Sequence, residues 1–216
     1  MKTFLQLVNS VLVEMREEEV TTINSTVYSR LIGTLVNKAK EQVEDAHNWS
    51  CLLTDLTFST IVGTETYALT GSDNRINIEN VIDTTNKSYL NETTRQFIQS
   101  EYMLGDVASS TPTKWANTGT DATGKAKITL YPKPAAITAM NVHCFLRTPD
   151  LVAETDTTLI PHAPIRDLAI AFAVRERGEV GGTAVPEYLL LAQRALSDAI
   201  AYDAARNETD QVWYEV

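Results

Sequence analysis

Hydrophobic positions along the chain change their period twice. In residues 2–19, Phe4, Leu7, Val8, Val11, Leu12 and Met15 recur at three- and four-residue spacing, which draws one apolar stripe on a helix. The acidic run Glu17, Glu18, Glu19 follows; near a helix C-terminus it opposes the macrodipole, so the helix is expected to stop or fray there. A second stripe of Val27, Leu31, Leu35, Ala39, Val43 and Ala46 predicts a helix capped by Asn24 or Ser25 and closed by Trp49. From Cys51 the pattern changes, because Leu52, Leu56, Phe58 and Ile61 lie among Thr and Ser, a composition that suits strands. Residues 67–69, 76–82, 125–131 and 137–145 read the same way, with Gly-, Asn-, Asp- and Thr-rich turns or exposed loops at 71–74 and 117–124. One interruption at 92–104 carries Phe97, Ile98 and Tyr102 at helical spacing and reads as a short helix. Helical spacing returns after Pro164, a first-turn proline, with Ile165, Leu168, Ala169, Phe172 and Ala173, until Gly178, Gly181 and Gly182 end it. Pro186 then opens a long alanine-rich helix whose stripe is Leu189, Ala192, Leu196, Ala199 and Ile200.

This order predicts an α+β fold: a helical bundle of about four helices, an N-terminal pair plus a C-terminal pair, with a β-rich insertion between them. The expected division is a helical core domain from 1–50 and 160–206, a β-rich insertion domain at 51–159, and a C-terminal extension at 207–216. Neither an internal repeat nor a low-complexity stretch is visible.

Composition narrows the function more than the fold. With 216 residues, 44% hydrophobic and 21% charged, the chain has enough apolar material for one substantial core. A formal net charge of −10 argues against gripping nucleic acid, since DNA affinity comes largely from Lys and Arg displacing phosphate counterions. No run approaches the roughly 18 apolar residues a membrane helix needs. The first fifteen residues lack a basic leader and a small-residue cleavage site, and are read as folded sequence. Cys51 and Cys144 are read as reduced, buried small hydrophobes rather than a disulfide. The five Asn-x-Ser/Thr sequons, at Asn24, Asn48, Asn86, Asn91 and Asn207, reflect a Thr- and Asn-rich chain.

Signatures of catalysis are scarce. The chain has no Gly-rich phosphate loop, no Gly-x-Ser-x-Gly elbow and no His-Glu-x-x-His helix. A zinc site from His47, Cys51, His143 and Cys144 is disfavoured, because adjacent residues on a strand point to opposite faces. His162, between Pro161 and Ala163, reads as a turn or interface residue. Glu44 with Asp45, or Glu154 with Asp156, can be drawn as an acid/base pair, but neither shows the desolvated carboxyl such chemistry requires. Lys38 and Lys40 lie three or four residues from Glu41 and Glu44, where ion pairs account for them without a ligand. Arg175 and Arg177, alternating with Glu176 and Glu179, suit a solvated or intersubunit helix end. No catalytic residue, cofactor or metal ligand is assigned, and the chain is not expected to be an enzyme.

A set of motifs in order carries a resemblance. Leu130-Tyr131-Pro132-Lys133-Pro134, then Pro149-Asp150-Leu151, then Asp156 and Leu159-Ile160-Pro161, then Arg175-Glu176-Arg177-Gly178-Glu179 resemble phage head-to-tail adaptor proteins. The helix ending in Trp49, the stretch from Gly63 to Tyr67 and Leu69, and Pro112 to Trp115 agree with it, so the likeness covers nearly the whole chain. Such proteins are similar to the tail tubular protein A of short-tailed phages and to the adaptors beneath the portals of long-tailed phages. The resemblance implies a structural virion protein, made in the host cytoplasm, that sits at the head-tail interface. It implies a ring, usually of twelve subunits, between the portal and the tail nozzle or tube. DNA would pass through its channel and be retained there without sequence-specific binding. No membrane partner is implied.

Three contact regions are expected. Val212, Trp213, Tyr214 and Val216 follow a polar stretch, and aromatic anchors on an extension are common hot spots. Terminal extensions of related adaptors enter the portal, so these four are assigned to portal binding. By elimination, Asn117, Thr118, Thr120 and Asp121 at the tip of the insertion are assigned to the next tail protein, and Arg175, Arg177 and Glu179 to the contact between subunits. The rival readings are a tail component with cell-wall hydrolase activity, and a soluble binding module that works as a monomer.

Overall fold

A computed structural model of the chain describes residues 1–105, 108–177 and 184–205. In chain order its elements are α1 (Phe4–Glu14), α2 (Val27–Ala46), β1 (Leu53–Ser59), β2 (Thr66–Ala68), β3 (Ile76–Asp83), β4 (Ser88–Glu92), α3 (Arg95–Leu104), β5 (Lys114–Thr120), β6 (Ala126–Tyr131), β7 (Ala139–Leu146), α4 (His162–Glu176) and α5 (Ala184–Ala204). The chain divides into two compact units, one from Met1–Cys51 together with the chain from Thr148 onward, the other Leu52–Arg147.

The helical unit begins with two capping boxes. Thr3 and Gln6 exchange side-chain and backbone hydrogen bonds at the start of α1, and Thr26 with Ser29 does the same for α2. Thr26, rather than Asn24 or Ser25, is therefore the cap. The first stripe buries as its spacing predicts, from Phe4 to Met15. In α2 the buried face is offset from the apolar one: Ile32, Val36, Ala39 and Val43 are buried together with Ser29, Gly33, Lys40 and Glu44, while Val27 is exposed. Gly33 is required by close approach, since a Cβ there would lie 3.2 Å from Ile23 Cγ2 and 3.3 Å from Phe4 Cζ. Helix α4 packs on α1, α2 and α5, and is apolar on most of its circumference for that reason.

These helices do not form the expected bundle of four. The described residues contain five α-helices, distributed N-terminal, central and C-terminal, and α3 belongs to the unit that holds the strands. A four-helix bundle needs each member to bury a stripe against two neighbours. Helix α5 does not: among its described side chains only Ala192 and Asp203 are buried, whereas Leu189, Leu190 and Leu191 are exposed. The face turned inward runs through Tyr188, Ala192, Leu196 and Ala199. The fourth wall around α1 and α2 is instead an extended strap, residues 148–160, which contributes buried Leu151 and Ile160. The α+β class stands: one unit is helical and the other holds a mixed sheet.

That sheet has seven strands in the order β1-β7-β3-β4-β5-β6-β2, antiparallel except for the β4–β5 pair. One face lines a core of Tyr67, Leu69, Val81, Leu90, Trp115, Ile128, Leu130, Met140, Val142 and Cys144. Alternation is what selects this face: Met140, Val142 and Cys144 point in, and Asn141 and His143 point away. Helix α3 is capped by Thr94 and covers β5 and β6 through buried Ile98. Two strands lie where turn or polar sequence suggested none. Strand β4 is Ser-Tyr-Leu-Asn-Glu, and β5 runs through Thr120 with a register shift between Asn117 and Thr120.

Candidate interaction surfaces

The strap 148–160 is held by polar groups of α2. The side chains of Lys40 and Glu44, one helical turn apart, are 3.1 Å apart and almost wholly buried. Lys40 Nζ also donates to the carbonyls of Thr148 (2.9 Å) and Pro149 (3.0 Å), and the Thr148 hydroxyl donates to Glu44. Asn37 donates from Nδ2 to the Leu151 carbonyl and accepts from the Leu151 N–H, each at 3.0 Å. Further along, Glu154 accepts from the Ile23 N–H, and the Asp156 carboxylate accepts from the N–H groups of Val152 and Ala153. Backbone bonds from Phe4 and Leu5 to Asp156 and Glu154 complete the clamp. Lys40 is thus a core residue and not a surface cation.

Of the carboxylates that sequence alone allowed as acid/base pairs, Glu44, Glu154 and Asp156 are engaged in these contacts. Asp203 is similarly engaged, accepting from the Ser50 hydroxyl (2.5 Å) and N–H (2.9 Å), with His47 at 3.3 Å. Burial raises its carboxyl, but the Ser50 hydrogen bonds and the neighbouring imidazole outweigh that and hold it below the usual value. Of the other histidines, His143 pairs with Asp55 across β7 and β1, and His162 stands in the first turn of α4 with its imidazole lowered by burial and by Lys2 and Arg166. Cys51 is exposed and Cys144 buried, both as free thiols, and burial pushes Cys144 up to about 11.

At the helix end, Arg177 turns back on its own unit. Its guanidinium lies 4.8 Å over the Tyr28 ring and donates to the Tyr28 hydroxyl, the Met15 carbonyl and Glu17. It therefore satisfies the open C-terminus of α1 and draws in the acidic run. Arg175 is exposed, and Glu179 lies outside the described residues.

The hairpin tip between β5 and β6 is exposed but internally braced. Asp121 accepts from the Thr123 hydroxyl and N–H, both at 2.8 Å, and from the Lys125 N–H at 2.9 Å. Those bonds hold its carboxyl below the ordinary range. Asn117 accepts from the Gly119 N–H, and Thr118 donates to the Lys127 carbonyl. Gly124, at φ +85, supplies the left-handed residue the turn needs. Thr120 ends β5 beside them. Val212, Trp213, Tyr214 and Val216 lie outside the described residues. Among the described residues no cluster of His, Cys, Asp and Glu suits a metal ion, and no helix is long and apolar enough to cross a membrane.

The ordered motifs quoted above all fall within the span of one family comparison. Residues 2–213 match the model of the SU10 adaptor protein family. The chain belongs to that family, which makes it a phage adaptor and a component of the virion. No curated protein matches it.

Proposed function

We propose that this chain is a ring-forming head-to-tail adaptor, in which copies, twelve in the reading the resemblance implies, sit coaxially between the portal and the tail nozzle or tube. In this role it acts as the tail tubular protein A of short-tailed phages does, passing and retaining DNA without reading its sequence. The observation that carries the reading is the family match along nearly the full chain. Charge distribution supports it. The sheet unit holds eight Lys and Arg against nine Asp and Glu, while the remainder holds ten against nineteen, so nearly all the acidity belongs to the helical part. Acidic walls repel DNA and let it slide. A structural role without catalysis agrees with Glu44, Glu154 and Asp156 being spent on holding the strap.

The C-terminal extension, through Val212, Trp213, Tyr214 and Val216, is proposed to enter the portal. Asn117, Thr118, Thr120 and Asp121 are proposed to meet the next tail protein, because a braced, exposed tip loses little entropy on binding. Arg175, Arg177 and Glu179 are proposed at the contact between subunits, Arg177 also holding the end of α4 against α1. The test is electron microscopy of the chain mixed with its portal: rings on the portal are expected, and their absence overturns the reading. Deleting residues 211–216 should abolish portal attachment while leaving the fold intact, and shortening the 117–124 loop should weaken attachment of the tail protein alone.

A further inference from the structure

Ring closure by identical copies needs two different, mutually complementary surfaces on each one, and α5 borders two such surfaces in the helical unit. At about 100° per residue, Leu190, Arg194 and Ala201 fall along one line of α5, all exposed, with Leu190 at 64%. On another side of the same helix, Leu191 borders a groove of about 520 Å³, walled by Val13 and Glu14 of α1 and by Asp167 and Ile170 of α4, with Glu19 also lining it. Val13 and Leu191 are both more than half exposed, so the groove offers open apolar surface. Its charge is acidic, because the one arginine lining it among the described residues, Arg166, already pairs with Asp167 at 2.6 Å. The ridge presents a leucine and an arginine one turn apart; the groove presents apolar side chains beside two glutamates.

Resting on the ring reading, we infer that the α5 ridge of one copy docks in the groove of the next, with Leu190 seated against Val13, Ile170 and Leu191, and Arg194 facing Glu14 and Glu19. The occupant is a second copy because this chain itself carries both the apolar key and the cation the acidic groove calls for. Contiguous exposed apolar surface rimmed by charges marks such contacts, and Leu189, Leu190 and Leu191 are exposed in succession. Ridge and groove are different patches, so the contact is heterologous and propagates around an axis until it closes.

The test uses the full chain in a Cys51→Ser background, since Cys51 is exposed and Cys144 buried. Val13→Cys and Leu190→Cys proteins are mixed with the portal and treated with a short bis-maleimide. A cross-link in the mixture, a ladder of multimers from the Val13→Cys/Leu190→Cys double variant, and none from either variant alone are the expected results. Arg194→Glu should lower assembly roughly tenfold through like-charge contact, and Glu14→Arg should restore part of it. Rings that form without the mixed cross-link overturn this interface and leave the ring reading intact, as does a Leu190→Cys self-link or a link from the groove to portal protein. If the parent protein makes no ring on the portal, the ring reading fails and the interface with it.

Discussion

A lysine and a glutamate four residues apart on a helix look the same in sequence whether they face water or the core, and Lys40–Glu44 shows what decides it. Their burial comes from Thr148 and Pro149, more than a hundred positions away, whose carbonyls give the ammonium partners it would otherwise lack. Leaving one buried charge without its partner is costly, whereas replacing both by apolar groups often is not. Lys40→Met is therefore expected to lose about 3 to 5 kcal/mol in urea unfolding, and Lys40→Met/Glu44→Leu less than the two single variants summed. Asp203 supplies a pH-dependent counterpart. Its folded carboxyl lies below the unfolded value, so its stabilising contribution is complete above the unfolded value and is lost as pH falls through the folded one. Asp203→Asn should flatten the acid side of the melting temperature against pH; an unchanged slope would show that the Ser50 contact contributes nothing.

At the scale of elements, the strap matters more than any one helix to the shape of the helical unit. Asn37 alone holds both backbone groups of Leu151, so Asn37→Ala leaves a donor and an acceptor without those partners, at about 1 to 3 kcal/mol. Hydrogen exchange should speed up across 148–156 in that variant while β6 and β7 stay protected. The strap was not legible beforehand, because an extended, half-polar segment has no period to detect. A sharper signal was present in α2: Asn37, Lys40 and Glu44 form a polar line at helical spacing, which invites a polar partner from elsewhere in the chain. The same line explains why the buried face of α2 is offset from its apolar stripe, which runs toward exposed Val27. Helix α1 was legible because its stripe is unbroken and its cap adjacent. Strand β4 was not, its inward side resting on Leu90, and neither was β5, which rests on Trp115 and Ala116. Both are recruited by neighbours in the sheet rather than by their own pattern. Of the proposed contact sites, the 117–124 tip was visible as turn chemistry, whereas the α5 ridge depends on which apolar residues α4 leaves uncovered.

For the whole molecule, two cores with different charge environments imply two separable stabilities. The sheet unit closes its own core around Trp115, Leu130 and Val142, and the helical unit closes another around Ile32, Val36 and Ile165. In the proposed role, gripping a partner while DNA passes, this arrangement is an advantage, because strain at one contact need not melt the other unit. Leu130→Ala should cost about 2 to 5 kcal/mol through the cavity it leaves and raise hydrogen exchange throughout β3, β6 and β7. Amides of α2 and α4 should keep their protection. Ile165→Ala should do the reverse, exposing α2 and α4 while the strands hold. Because the helical part carries the excess carboxylates, added salt should also relieve its self-repulsion and stabilise it more than the near-neutral sheet. Equal loss of protection in both units from either cavity variant would mean that the chain unfolds as one body, and the proposed division of labour between an acidic helical wall and a near-neutral contact sheet would fall with it.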